Sequence, residues 1–106
     1  FILAEIANIA WKKCRRRELS DELAQTAIQV IPRFIATLHP SQDLYQDALS
    51  LSLTLDHPAY DCFYLACAEK YNGTVVTADQ RFLAAVKQSN FAGRIIFLAD
   101  IPPLPA

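Results

Sequence analysis

Residues 56–82 read DHPAYDCFYLACAEKYNGTVVTADQRF, and the fold turns on this stretch. The spacing predicts a helix over 57–71 that is apolar almost all round, as a deeply buried helix is. Asp56 reads as its cap and Pro58 as a residue of its first turn, where a missing N–H costs nothing. Asn72 and Gly73 stop the helix in a left-handed turn. Thr74–Thr77 is a short β-branched strand, and Asp79 opens a helix to about Lys87. Past Gly93, Arg94–Leu98 reads as a second strand. Helix, strand, helix, strand is the alternation of an α/β fold with a parallel sheet.

Working outward, residues 2–17 read as a helix with Ile2, Leu3, Ile6, Ala7, Ile9, Ala10, Trp11 and Cys14 on one broad arc. It ends in Lys12, Lys13, Arg15, Arg16 and Arg17, cations that suit a helix C-terminus. Ser20 is the N-cap of a second helix with Asp21 and Glu22 in its first turn. Pro32 ends or kinks that helix. Phe34–Leu38 is short and apolar and reads as a further strand. A helix over 42–53 follows Pro40 and Ser41. The tail with Pro102, Pro103 and Pro105 is extended.

Length and composition exclude several classes. The chain has 106 residues, which suits one domain. Hydrophobic residues make up 53% and charged residues 20%, so the chain is globular. A net charge of −1 gives no global field for nucleic acid, and any such binding needs a local patch. No apolar run reaches membrane-spanning length. Three cysteines, Cys14, Cys62 and Cys67, form no CxxC pair and suit a reducing cytoplasm. His39 and His57, each beside a proline, do not make a metal-binding spacing. The chain opens with Phe1 and has no Met, so a segment upstream is expected.

The remaining chemistry is carboxylate chemistry. Two glycines allow no phosphate loop, and no Ser or Cys sits in a His context that suits a triad. Asp61 lies in the first turns of the buried helix with Tyr64, Leu65 and Ala68 on its face. A carboxylate there must be protonated, paired, bound to a metal, or satisfied by free backbone amides. Asp79 follows a strand, the place where parallel sheets gather ligands, and it equally suits a plain N-cap. Thr77 adds a hydroxyl beside it. Glu5 lies at the margin of the first helix's apolar arc, where an ordinary surface residue also fits. Asp100 follows the second strand. Clustered Asp and Glu oxygens hold Mg²⁺ or Mn²⁺, which activate water for phosphodiester hydrolysis.

The run from Asp56 to Phe82 resembles the PIN domain of VapC-type toxin ribonucleases. Asp61, Tyr64, Leu65, Ala66, Ala68, Gly73, Thr77, Ala78 and Asp79 fall in register with that family. Upstream, AEIANIAWKKCRRRELS resembles the family's helix carrying a Glu followed by a basic turn, which places the family's acidic ligand on Glu5. The resemblance implies an α/β fold with a PIN-like parallel sheet flanked by helices. It implies a Mg²⁺- or Mn²⁺-dependent endoribonuclease with Glu5, Asp61 and Asp79 as catalytic metal ligands and Thr77 in support. It also implies an RNA substrate, an antitoxin partner and a cytoplasmic setting without membrane contact. Lys12, Lys13, Arg15, Arg16 and Arg81 are candidates to touch RNA phosphates. The family's first strand ends in another acidic ligand, and that strand is absent here. Residues 1–106 are therefore read as a PIN-like domain without its N-terminal strand, a poor enzyme as it stands and inclined to form homo-oligomers. The alternative is a catalytically inactive PIN-like module that binds protein.

Overall fold

A computed structural model describes residues 1–103, so Pro105 lies outside the described residues. The chain divides into two compact units, residues 1–40 and the part from Ser41 onward.

In the first unit, α1 spans Ile2–Arg15 and α2 spans Asp21–Val30. The Ser20 hydroxyl accepts from the Leu23 amide at 3.1 Å, so Ser20 caps α2 as its position predicts. Between the helices, Arg17 turns left-handed at φ 58°. Ala24 is buried, whereas Leu3, Ile9, Trp11 and Leu23 are exposed. Phe34–Leu38 is not a strand. Ile31–Phe34 continues α2 as a 3-10 turn with Pro32 in its first turn, and Phe34 is 84% exposed. Apolar residues make a strand only beside a pairing partner, and this segment pairs with none.

The second unit opens with a 3-10 turn, Ser41–Asp43, ahead of α3, Tyr45–Leu55. The helix expected at 42–53 is thus shifted toward the C-terminus. Asp56 does not cap the next helix. It closes α3 in the left-handed region at φ 51°, which a short polar side chain tolerates. Pro58 forces the preceding His57 out of helical conformation, so the chain breaks there and α4, Ala59–Tyr71, begins afresh. Pro58 itself occupies the N-cap position.

The interior of this unit is built on α4. Cys62, Leu65, Ala66 and Ala68 are buried, with Leu44, Ala48 and Leu51 from the α3 side. Burial does not extend all round α4, because Tyr60 and Tyr71 at its two ends are exposed. Asn72 makes the left-handed stop at φ 56°, and Gly73 has no positive φ.

Strand β1, Val75–Thr77, pairs in parallel with β2, Ile95–Phe97, in the register Val75–Ile95, Val76–Ile96 and Thr77–Phe97. Helix α5, Gln80–Lys87, makes the crossover and buries Phe82 and Val86. Both strands are shorter than their apolar runs because 3-10 turns, Ala92–Arg94 and Leu98–Asp100, flank β2. The parallel sheet and its helical crossover are those the alternation predicts. At the entry to the strands, Arg94 donates to Glu69 Oε1 at 3.3 Å, Asn72 Oδ1 at 2.8 Å and the Gly73 carbonyl at 3.1 Å. It thereby ties the end of α4 to the start of β2. Among the described residues no helix is long and apolar enough to cross a membrane.

Candidate functional site

Asp61 is the third residue of α4, following Ala59 and Tyr60. A carboxylate at that position usually reaches back to the N-cap amide. Here the N-cap is Pro58, which has no N–H. The carboxylate meets His57 instead, with Nε2 and Oδ2 2.7 Å apart. An ionised carboxylate only accepts, so against it Nε2 is the donor. Of the readings open for Asp61, pairing is the one realised, and the partner lies four residues upstream. The side chain of Asp61 is 32% exposed and that of His57 is 11% exposed, so the histidine is the more deeply set of the two.

The His57 ring is fixed from a second side. It stacks on Phe82 with centroids 4.9 Å apart and planes inclined by 29°. Phe82 belongs to α5, and its own amide donates to Asp79 Oδ1 at 3.2 Å. The Arg81 amide donates to the same oxygen at 2.9 Å, so Asp79 caps α5. Asp79 in turn donates its amide to Thr77 Oγ1 at 3.0 Å, and Thr77 closes β1. A continuous series of contacts therefore runs from Asp61 through His57 and Phe82 to Asp79 at the exit of the parallel strands.

Cys62, next to Asp61, is fully buried. Burial, and then the neighbouring Asp61 charge, push its thiol above the ordinary value. Both effects disfavour the thiolate, which argues against a cysteine nucleophile here.

Glu5 is half-buried in the first turn of α1, within the first unit. Arg81 and Asp100 are exposed, with Asp100 ending the 3-10 turn after β2. Trp11, Lys12, Arg15 and Arg16 line an open depression of about 350 Å³ on α1. The Arg15 guanidinium lies 5.0 Å from the centroid of the Trp11 ring. Lys13 pairs with Glu18 at 3.3 Å on the exposed surface. Among the described residues no group of three or more His, Cys, Asp or Glu side chains is arranged to hold one ion.

Sequence reasoning missed His57. Its signal was the i, i+4 spacing to Asp61, which places two side chains on one helical face. The proline between them hides that relation, because the pair straddles a helix start.

Comparison with known proteins identifies the family. The family model described as "PIN domain" matches residues 1–88. Over 79 residues the chain is 33% identical to Ribonuclease VapC3 of Pyrobaculum aerophilum, a match covering 73% of this chain and 60% of that protein. The chain thus spans less than two thirds of the length of this curated relative. No solved structure matches.

Proposed function

The chain belongs to the PIN-domain family, and from that premise we propose that it serves a Mg²⁺- or Mn²⁺-dependent endoribonuclease of a toxin–antitoxin pair. The observation that carries the reading is the linkage of Asp61 to Asp79, through His57 and Phe82, beside the strand exit. Parallel α/β proteins gather their ligands at such exits.

Two carboxylates with hard oxygen donors fit Mg²⁺ or Mn²⁺. Mg²⁺ in particular is held by one or two carboxylates, several waters and the substrate's own phosphates, so a third protein ligand is not obligatory. Asp61 and Asp79 would hold the ion, and Glu5 is the proposed third carboxylate. The bound ion would supply an activated water and charge stabilisation for phosphodiester hydrolysis.

The chain's own residues do the positioning. Thr77 accepts the Asp79 amide and sets the turn that presents that carboxylate. The α5 cap occupies Oδ1 alone, so the cap uses one of the two Asp79 oxygens. Arg81 lies two residues after Asp79 and offers a cation for an RNA phosphate. Lys12, Lys13, Arg15 and Arg16 supply cations around the end of α1 for the phosphate backbone, and Trp11 beside them offers a ring for a base. An antitoxin protein, a homo-oligomeric state and a cytoplasmic setting complete the proposal.

A second reading, a PIN-like module that binds protein without catalysis, draws on one observation. The described residues gather no cluster of three acids. RNA cleavage separates the two. Wild type is expected to cut RNA with Mg²⁺ or Mn²⁺ and to stop with chelator. Asp61→Asn is expected to abolish cleavage with its circular dichroism unchanged. Equal cleavage by both proteins, or cleavage that survives chelation, removes the nuclease reading.

A further inference from the structure

We propose that His57 is a positioning residue that aims the Asp61 carboxylate at a divalent cation. This rests on the reading of Asp61 as a metal ligand. A carboxylate on a half-exposed helix start is free to turn about its Cβ–Cγ bond. Here Nε2 holds Oδ2 at 2.7 Å, which restrains that rotation and engages one of the two carboxylate oxygens.

The histidine is restrained well beyond what one ion pair needs. Its ring plane is set by the stack on Phe82, a residue that is 2% exposed. Its backbone carbonyl accepts from the Ser52 hydroxyl of α3. Its main chain is held out of helical conformation by Pro58. The side chain is 11% exposed, so water competes little for Nε2. Such preorganisation is what a metal-ligating carboxylate requires of its neighbours. Loss of an outer hydrogen-bond partner typically costs 10- to 100-fold in metal affinity (~1–2 orders of magnitude).

The test separates the hydrogen bond from the packing. His57→Phe keeps a ring for Phe82 and loses the donor, whereas His57→Gln carries an amide N–H in place of the ring donor. Mn²⁺ alone is titrated into wild type, His57→Phe, His57→Gln and Asp61→Asn by calorimetry, with circular dichroism as the folding control. His57→Phe is expected to fold as wild type does and to weaken Mn²⁺ binding by about tenfold or more. His57→Gln is expected to recover most of that loss. On RNA, His57→Phe should lower kcat and leave KM unchanged.

A folded His57→Phe that binds Mn²⁺ as wild type does, while Asp61→Asn does not, overturns the positioning role alone. Unchanged binding in Asp61→Asn overturns the ligand reading and the positioning role with it. If His57→Phe fails to fold, the comparison rests on His57→Gln. Binding near wild type then supports the hydrogen bond, and binding as weak as in Asp61→Asn overturns it.

Discussion

Replacing Asp79 separates the two duties its carboxylate performs. Oδ1 accepts the amides of Arg81 at 2.9 Å and Phe82 at 3.2 Å. With Ala at this position both amides lose their partner. The Arg81 residue is exposed, so water replaces the carboxylate there at little cost. Phe82 is buried, and its amide is the harder one to rehydrate. Loss of a cap of this kind costs about 0.5–2 kcal/mol, and one accessible and one sheltered amide place Asp79→Ala near the middle, at roughly 1–1.5 kcal/mol. Asn keeps an acceptor oxygen and forfeits only the charge at the helix start, about 0.3–0.5 kcal/mol for a helix as short as α5. Urea unfolding followed by circular dichroism reads both. Cleavage should rank differently, with Asp79→Asn impaired despite near-native stability, though less than Asp61→Asn because an amide still holds a water. Equal stability loss in the Asn and Ala variants would refute the hydrogen-bond account of the cap. An Ala variant as stable as wild type would show that Asp79 does not hold α5 at all.

Arg94→Ala removes a donor that serves Glu69, Asn72 and the Gly73 carbonyl, and a loss of about 1–2 kcal/mol is expected by thermal or urea unfolding. Arg94→Lys should restore less than half of it, since an ammonium lacks the planar fork; full rescue by Lys would mean that charge alone matters. The Cys62 thiol, raised by burial and then by Asp61, keeps its proton in the folded chain to higher pH than in the unfolded one. The folded state therefore binds more protons once pH passes the ordinary thiol value of 9.0, and stability falls as pH rises beyond it. Cys62→Ala should flatten that alkaline decline in urea midpoints measured from pH 8 to 10. An unchanged slope would assign the decline to other groups.

The parts of the fold that were legible from sequence are those fixed by neighbours in the chain. The β-branched run after Gly73, the Asp79 cap and the helix that it opens appear where the residues predict them. Ser20 also does what a serine before two acids should do. Illegible features depend on contacts between separate segments. Phe34–Leu38 has strand-like residues and no strand beside it. Asp56 looks like a cap for the helix after it, yet it closes the helix before it, because Pro58 takes the start of α4. His57 was set aside as a metal ligand, and its contacts emerged only with the ring placed between Asp61 and Phe82. Local spacing places a side chain on a face, and packing decides what it meets there.

The parallel pairing of Val75 with Ile95 also bears on the order in which this half of the chain assembles. The two residues lie twenty positions apart, and closing a loop of that length costs roughly 2.7 kcal/mol plus a constant. Helix α5 takes up eight of those residues and so shortens the search, because a helix forms in well under a millisecond. A parallel pairing across twenty positions is a non-local contact, which forms more slowly than the helix does. Arg94 sits at the entry of the ribbon and joins the end of α4 to β2, across the same loop that the strand pairing closes. The loop between the start of β1 and the start of β2 is thus closed twice, once by the strand pair and once by the arginine.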